Sequence, residues 1–239
     1  MTAPEPGSTP TPIWNVATPR ARSGRALDRE RITTTAIGLA DAEGLEAVTM
    51  RRLAAELGSS PMSLYRHVPG GKVDLTDLMH DALMGEHDLA GIPSGDVAAD
   101  LGRLGTERRT AAHRHPWSIQ PTARPMLGPY GIRRLDTALS IFDERVTPER
   151  RGWAIGLLDA YVSGAVGQEL AQHNEELRSG LSAEDWQHAV APYMTQMLAT
   201  GDYPHLADYT ASAPAIDLDQ QFADGLGAVI AGILAAIDS

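Results

Sequence analysis

The sequence predicts an all-α protein: an N-terminal helix-turn-helix domain followed by a larger helical domain. Three observations carry the prediction. From Ile32 to Ile237 apolar residues recur at three- and four-residue spacing, with no strand-like alternation. Ser, Thr or Asp repeatedly precedes these apolar runs, as helix starts require. Two short helical patterns flank Gly58, which gives residues 49–68 the form of a helix-turn-helix.

Residues 1–19 hold five prolines among Thr, Ser and Ala, so a disordered tail is expected. Arg20, Arg22 and Arg25 follow, an arm that either enters a minor groove or solvates the tail. Asp28 is the N-cap of a first helix whose stripe is Ile32, Ala36, Leu39 and Ala40, ending near Gly44. Thr49 caps a second, with Leu53, Ala54 and Leu57 inward and Gly58 as its stop. Ser60 and Pro61 begin a third, with proline at the first helical position, where a missing N–H costs nothing. The Pro-Gly-Gly of residues 69–71 turns the chain into a fourth helix along Leu75, Leu78, Met79, Ala82 and Leu83. These elements make a head domain at 20–86.

The larger domain, 96–239, opens with a helix at 96–114. Four prolines then break the stretch HPWSIQPTARPMLGP. Ile132, Leu135, Leu139 and Phe142 mark the next helix, and Thr147-Pro148 starts a long one reaching about residue 178. Ser182 with Asp185 forms a capping box. Asp217 and Gln220 open the last helix, where Phe222, Leu226, Val229, Ile230, Ile233, Leu234 and Ile237 cover too wide an arc for one-sided packing. That helix and the long one are the expected homodimer interface.

Composition narrows the function. No apolar run reaches membrane-span length and the first residues form no signal peptide, so a soluble cytoplasmic protein with no membrane partner is expected. The absence of cysteine excludes disulfides, thiolate metal sites and cysteine nucleophiles. His113 and His115 point to different helix faces, and His80 and His87 lack a third ligand. No metal or cofactor is expected, and no carboxylate pair or nucleophile motif suggests an enzyme. The net charge of −11 is uneven: residues 20–73 hold nine Arg or Lys against six Asp or Glu, the remainder eleven against twenty-five. A mildly basic head on an acidic body fits a protein that offers one end to a polyanion.

In a helix-turn-helix the second helix enters the major groove amino end first. Leu64 and Val68 hold that helix to its domain, which leaves Met62, Ser63, Arg66 and His67 on the far side. Arg66 can bond guanine bidentately, Ser63 suits either base partner, and Met62 or the Pro61 ring can pack on a thymine methyl. The Tyr65 hydroxyl is placed for a phosphate, as are Thr49 and Arg51 at the preceding helix start and Lys72 at the following one.

The series TMRRLAAELGSSPMSLYRHV, with Lys72 and then DLTDLM, resembles the DNA-binding head of the tetracycline-repressor (TetR) family. The resemblance implies operator contacts at Arg51, Pro61, Met62, Ser63, Tyr65, Arg66, His67 and Lys72, with a turn one residue longer than the family's usual one. HRHPW, DYPHLA and FADGL resemble the C-terminal domain of the subgroup nearest the tetracycline repressors proper. What the resemblance implies is a homodimeric repressor on a palindromic double-stranded operator, released by a small-molecule inducer. Trp117, Met126, Tyr130, Trp153, Tyr161, Met194 and Met197 are the expected cavity lining. A regulator controlled by a protein partner, or a helical enzyme, are the competing readings.

Overall fold

The computed structural model describes residues 12–17, 27–119, 127–212 and 217–237, and every regular element among them is helical. Its contacts divide the chain into residues 1–155 and 156–239.

Four helices build the head of the first unit. α1 (Arg29–Glu43) starts where the Asp28 carboxylate accepts from the Arg31 N–H at 2.8 Å. It stops at Gly44, whose φ of +83° suits glycine. α2 (Met50–Glu56) is capped by the Thr49 hydroxyl, which accepts from the Arg52 N–H. After it, Ser59 N–H donates to Ala54 and Gly58 N–H to Ala55, a closure that requires the positive φ of Gly58. α3 (Pro61–Tyr65) is capped by Ser60, and α4 (Lys72–Met84) follows the Gly71 turn. Ile32, Leu39, Leu53, Leu64, Val68, Leu75, Met79 and Leu83 form their common core. Each such side chain contributes about 1.5–3 kcal/mol by leaving water, which is how helices as short as α2 and α3 persist.

α5 (Val97–Arg114) and α6 (Pro129–Leu139) complete the first unit with the start of α7 (Pro148–Ser179). α4 packs on α6, and polar bonds tie α1 and α4 to the chain around residues 114–131. That packing sets the contact division far later than the 86–96 boundary that composition suggests. The tail expectation also changes: residues 13–15 form a single 3-10 turn in which Ile13 is buried. Residues 1–11, 18 and 19, and with them Arg20, Arg22 and Arg25, lie outside the described residues.

In the second unit the rest of α7 is accompanied by α8 (Ala183–Leu198), α9 (Pro204–Ser212) and α10 (Leu218–Ile237). The capping box of Ser182 and Asp185 is present in both directions. α10 buries one stripe, Phe222, Leu226, Ile230 and Ile233, while Ala223, Gly227, Ala228 and Ala231 are exposed. The uncovered face is therefore small and smooth, and Ile233 belongs to the protomer's own core. Contrary to expectation, α10 is long and apolar enough to cross a bilayer by length and composition; Phe222, Leu226, Ile230 and Ile233 are buried in the protein, while Val229, Leu234 and Ile237 are half-buried.

Candidate nucleic-acid interface, polar joints and groove

α3 presents two unlike sides. Leu64 is fully buried, while Met62 on the opposite side is 69 % exposed. An apolar side chain held out in water on a five-residue helix, beside an exposed Arg66, is a surface shaped for something else to cover. Pro61 is exposed beside them, and the Ser63 hydroxyl lies 2.9 Å from that of Ser60. Arg51 and Thr49 are exposed at the start of α2. The side chains of Arg51 and Arg66 make no hydrogen bond or ion pair among the described residues. Arg52, one position on, is exposed but already paired, bridging Glu43 at 2.9 Å and Glu56 at 3.0 Å.

Tyr65 is half-buried, its ring lying over the turn into α4. A Cβ on Gly71 would stand 3.2 Å from Tyr65 Cε1, and Gly71 has a φ of +66°. The Pro-Gly-Gly turn thus gives the tyrosine ring a floor.

Two expected contacts are placed differently. His67 is only 7 % exposed and its Nδ1 is buried without a hydrogen-bond partner. Burial first, then the Arg29 guanidinium, which Asp28 partly opposes, and last Arg66, push its imidazole below the ordinary value. His67 is therefore an inward side chain rather than a base reader. The spacing held the signal, since Leu64, His67 and Val68 form an i, i+3, i+4 stripe. Lys72 points back, its ammonium donating to the Leu45 carbonyl at 3.0 Å with Glu46 3.6 Å away. It braces the chain between α1 and α2 instead of waiting for phosphate.

Two polar joints, neither visible at the level of local spacing, tie the head helices to the following chain. At the first, Asp41 Oδ1 of α1 accepts from Trp117 Nε1–H at 2.7 Å and lies 2.8 Å from His115 Nδ1. The other ring nitrogen of His115 faces Glu86 at 3.3 Å, and Arg114 donates to the same carboxylate at 2.8 Å. His115 is buried here, not part of a solvated helix end as expected; His113 is exposed. Trp117 belongs to the head core, edge-on to His80 with ring centroids 5.3 Å apart.

At the second joint, Asp81 of α4 caps a different helix. α6 begins at Gly128, which has no side chain to cap it. Asp81 Oδ1 accepts from the Gly131 N–H at 2.8 Å, and its carboxylate also receives the Tyr130 N–H. A Cβ on Gly128 would overlap that carboxylate, so only glycine fits. Asp81 is 3 % exposed. Burial raises its carboxyl above the ordinary value, and the two N–H donors pull it part of the way back.

Within the second unit α7 and α10 flank an open groove of about 520 Å³. Tyr161 and Phe222 supply its aromatic surface, while Gln168, Glu169 and Gln221 supply amides and a carboxylate. Tyr161 donates to the Phe222 carbonyl at 2.8 Å, and a Cβ on Gly225 would overlap the Tyr161 hydroxyl. Of the residues expected to line a cavity, Tyr161 alone borders this groove. Tyr130 and Trp153 are about half-exposed in the first unit, Met194 and Met197 are half-buried on α8, and Met126 lies outside the described residues.

Comparison with known proteins adds to this geometry. Residues 32–75 match the model for bacterial regulatory proteins of the tetR family, and residues 91–237 match that for the tetracyclin repressor-like C-terminal domain. The chain is 34 % identical to the HTH-type transcriptional repressor DrrR1 of Streptomyces coeruleorubidus, over 92 % of this chain and 84 % of that one. Its fold is similar to that of Streptomyces coelicolor ActR in complex with actinorhodin, with a TM-score of 0.76 and 28 % identity over 88 % of this chain and 97 % of that one. ActR in complex with (S)-DNPA gives a TM-score of 0.74 and 27 % identity, covering 88 % and 98 %.

Proposed function

Because the chain belongs to the TetR family of DNA-binding transcriptional regulators, we propose that it is a repressor whose two α3 helices read a palindromic operator and whose α7–α10 groove takes the inducer. The observation that supports the DNA reading most directly is the division of α3: Leu64 sealed inside, Met62 and Arg66 exposed, the Arg66 guanidinium with no hydrogen bond or ion pair among the described residues. Arg66 reads a base and Met62 a thymine methyl, while Arg51, Thr49 and the Tyr65 hydroxyl fix the register on phosphates.

The family binds DNA as dimers, and α7 with the small-residue face of α10 is the surface assigned here to the second protomer. The inducer is a small molecule with an aromatic body and hydrogen-bonding edges. Tyr161 and Phe222 suit its ring faces, Gln168 and Gln221 its polar edge, and about 520 Å³ falls within the usual range of ligand sites. That ActR is crystallised with actinorhodin supports a small-molecule ligand for this chain as well. Release follows if the ligand prefers the state whose heads misfit the operator, since only such a difference in affinity moves the balance.

Gly164 offers a direct test: it lines the groove, and a Cβ there meets nothing within 4 Å. Genomic fragments captured by the chain are challenged with fractionated metabolites from the host. Gly164→Phe is expected to keep its fragments but lose release by the active fraction. Release of Gly164→Phe at wild-type ligand concentrations would refute the groove assignment, and capture of no preferred fragment would refute the repressor reading.

A further inference from the structure

We propose that residues 13–16 and Arg29 form a clasp that positions the recognition helix α3, making the segment ahead of α1 a determinant of operator selectivity without touching DNA. The proposal rests on the reading of α3 as the DNA-binding helix. Arg29 stands at the first position of α1 and its guanidinium forks two ways. Nε donates to the His67 carbonyl at 2.9 Å, and a terminal nitrogen donates to the Val16 carbonyl at 2.8 Å. One side chain thus joins the segment ahead of α1 to the residue just beyond α3.

Each end of the bridge is anchored by burial. Ile13, three residues before Val16, is 1 % exposed, and its 3-10 turn packs on α4. At the other end the His67 and Val68 side chains are buried, and both their N–H groups donate to the Leu64 carbonyl. The His67 carbonyl lies just past the C-cap Arg66, at the end of a helix where a cation is the favoured partner. A planar guanidinium can hold two carbonyls in fixed relation, which an ammonium on a flexible stem cannot.

The consequence concerns aim. α3 is five residues long and too short to be stable by itself. Its direction is set by Leu64 and Val68 on one side, and by whatever holds its carboxyl end. A slight rotation about the Leu64 anchor would shift Arg66 and Met62 against the base edges, while a phosphate contact tolerates such a shift far better. Losing the clasp should therefore cost selective binding and spare non-selective binding.

The test uses the full chain and a duplex that wild type selects from a random library, with a scrambled duplex of equal length as control. Ile13→Asp removes the apolar anchor, and Arg29→Lys keeps the charge but not the fork. Both variants are expected to lose about tenfold affinity for the selected duplex, roughly the worth of one hydrogen bond to a charged group. Affinity for the scrambled duplex and the salt dependence should stay unchanged, and the His67 and Val68 amides should exchange faster with solvent. Should Ile13→Asp fail to fold, Arg29→Lys carries the test alone. Wild-type affinity for the selected duplex in Arg29→Lys would overturn the clasp. A fall in scrambled-duplex affinity together with a shallower salt dependence would overturn it differently, by showing that Arg29 touches phosphate. If wild type selects no duplex, the DNA reading itself fails, and amide exchange alone decides whether the clasp orders α3.

Discussion

Replacing Asp81 by alanine should destabilise the first unit by about 2–3 kcal/mol. Removing a helix cap costs about 0.5–2 kcal/mol. The Gly131 N–H would also be left buried with no acceptor, which by itself costs about 1–3 kcal/mol and overlaps partly with the cap term. For a chain of this length the change corresponds to a fall of roughly 5–10 °C in melting temperature. Asp81→Asn should lose much less, because an amide oxygen still accepts from the Gly131 N–H. It also removes a pH effect of definite sign. The carboxyl is raised in the folded state, so the folded chain binds the proton more tightly than the unfolded one. Stability therefore falls as pH rises through the ordinary Asp value of 3.8 towards the raised one. Gly128→Ala should damage the same joint from the other helix, since its Cβ would overlap the Asp81 carboxylate. Once that carboxylate is gone the methyl has room, so the double variant should lose less than the sum of the two single losses. Urea denaturation of the four proteins measures the cycle. Strict additivity, or Asp81→Asn as damaging as Asp81→Ala, would refute the cap.

Arg66→Ala should relax base preference at one position of each half-site, at about 1–3 kcal/mol per lost contact. Tyr65→Phe should weaken all sequences alike, and selection from a random duplex library separates the two outcomes. His80 is held below its ordinary value of 6.5 by burial and then by Arg108, so the folded state prefers the neutral ring. Stability should be level above that value and fall as pH drops through it; His80→Phe should flatten this acid limb in melting curves, and an unchanged limb would remove the assignment. Ala231→Glu, on the exposed face of α10, should give well-folded monomers with weak operator binding; sedimentation showing intact dimers would move the interface elsewhere.

Features set by neighbouring residues were legible in the sequence. Asp28, Thr49, Ser60 and Ser182 cap the helices they precede, and Gly58 takes the positive φ its turn demands, because each acts within four residues. The division of α3 followed from Leu64 and Val68. What escaped was set at long range. Asp81 and Gly131 are 50 positions apart, and Asp41 and His115 are 74 apart. Neither pair leaves a periodic trace, so nothing in the local sequence marks the two carboxylates that join the head to the following chain. Ile13 escaped because one apolar residue among prolines has no periodicity, and α9 because DYPHLADYTAS offers no clear apolar stripe. The candidate groove escaped for a related reason: Gln168 and Gln221 come from helices whose pairing spacing alone cannot show.

The distribution of charge then takes on a sharper meaning. Residues 20–73 carry a net +3 and the remainder −14, which by itself suggests a broadly attractive head. The structure leaves few of those cations unengaged on the α2–α3 surface. Arg52 is neutralised by Glu43 and Glu56, Lys72 lies beside Glu46, and Arg29 is held between two backbone carbonyls. Arg51 and Arg66 are the cations on the α2–α3 surface that make no ion pair. Of the groups assigned to phosphate only Arg51 is a cation, so two heads neutralise about two phosphates, or about four if Arg66 also lies near the backbone. Counterion release then gives a logarithmic salt slope of roughly −2 to −4 for a dimer. The acidic remainder cannot add to it, because negative charge laid along phosphates costs energy. Anisotropy titrations between low and moderate salt measure the slope. A slope within that range means that α2 and α3 account for the electrostatic attraction. A slope near −8 would refute that account and assign the additional phosphates to Arg20, Arg22 and Arg25, the remaining cluster of basic residues in the N-terminal part of the chain.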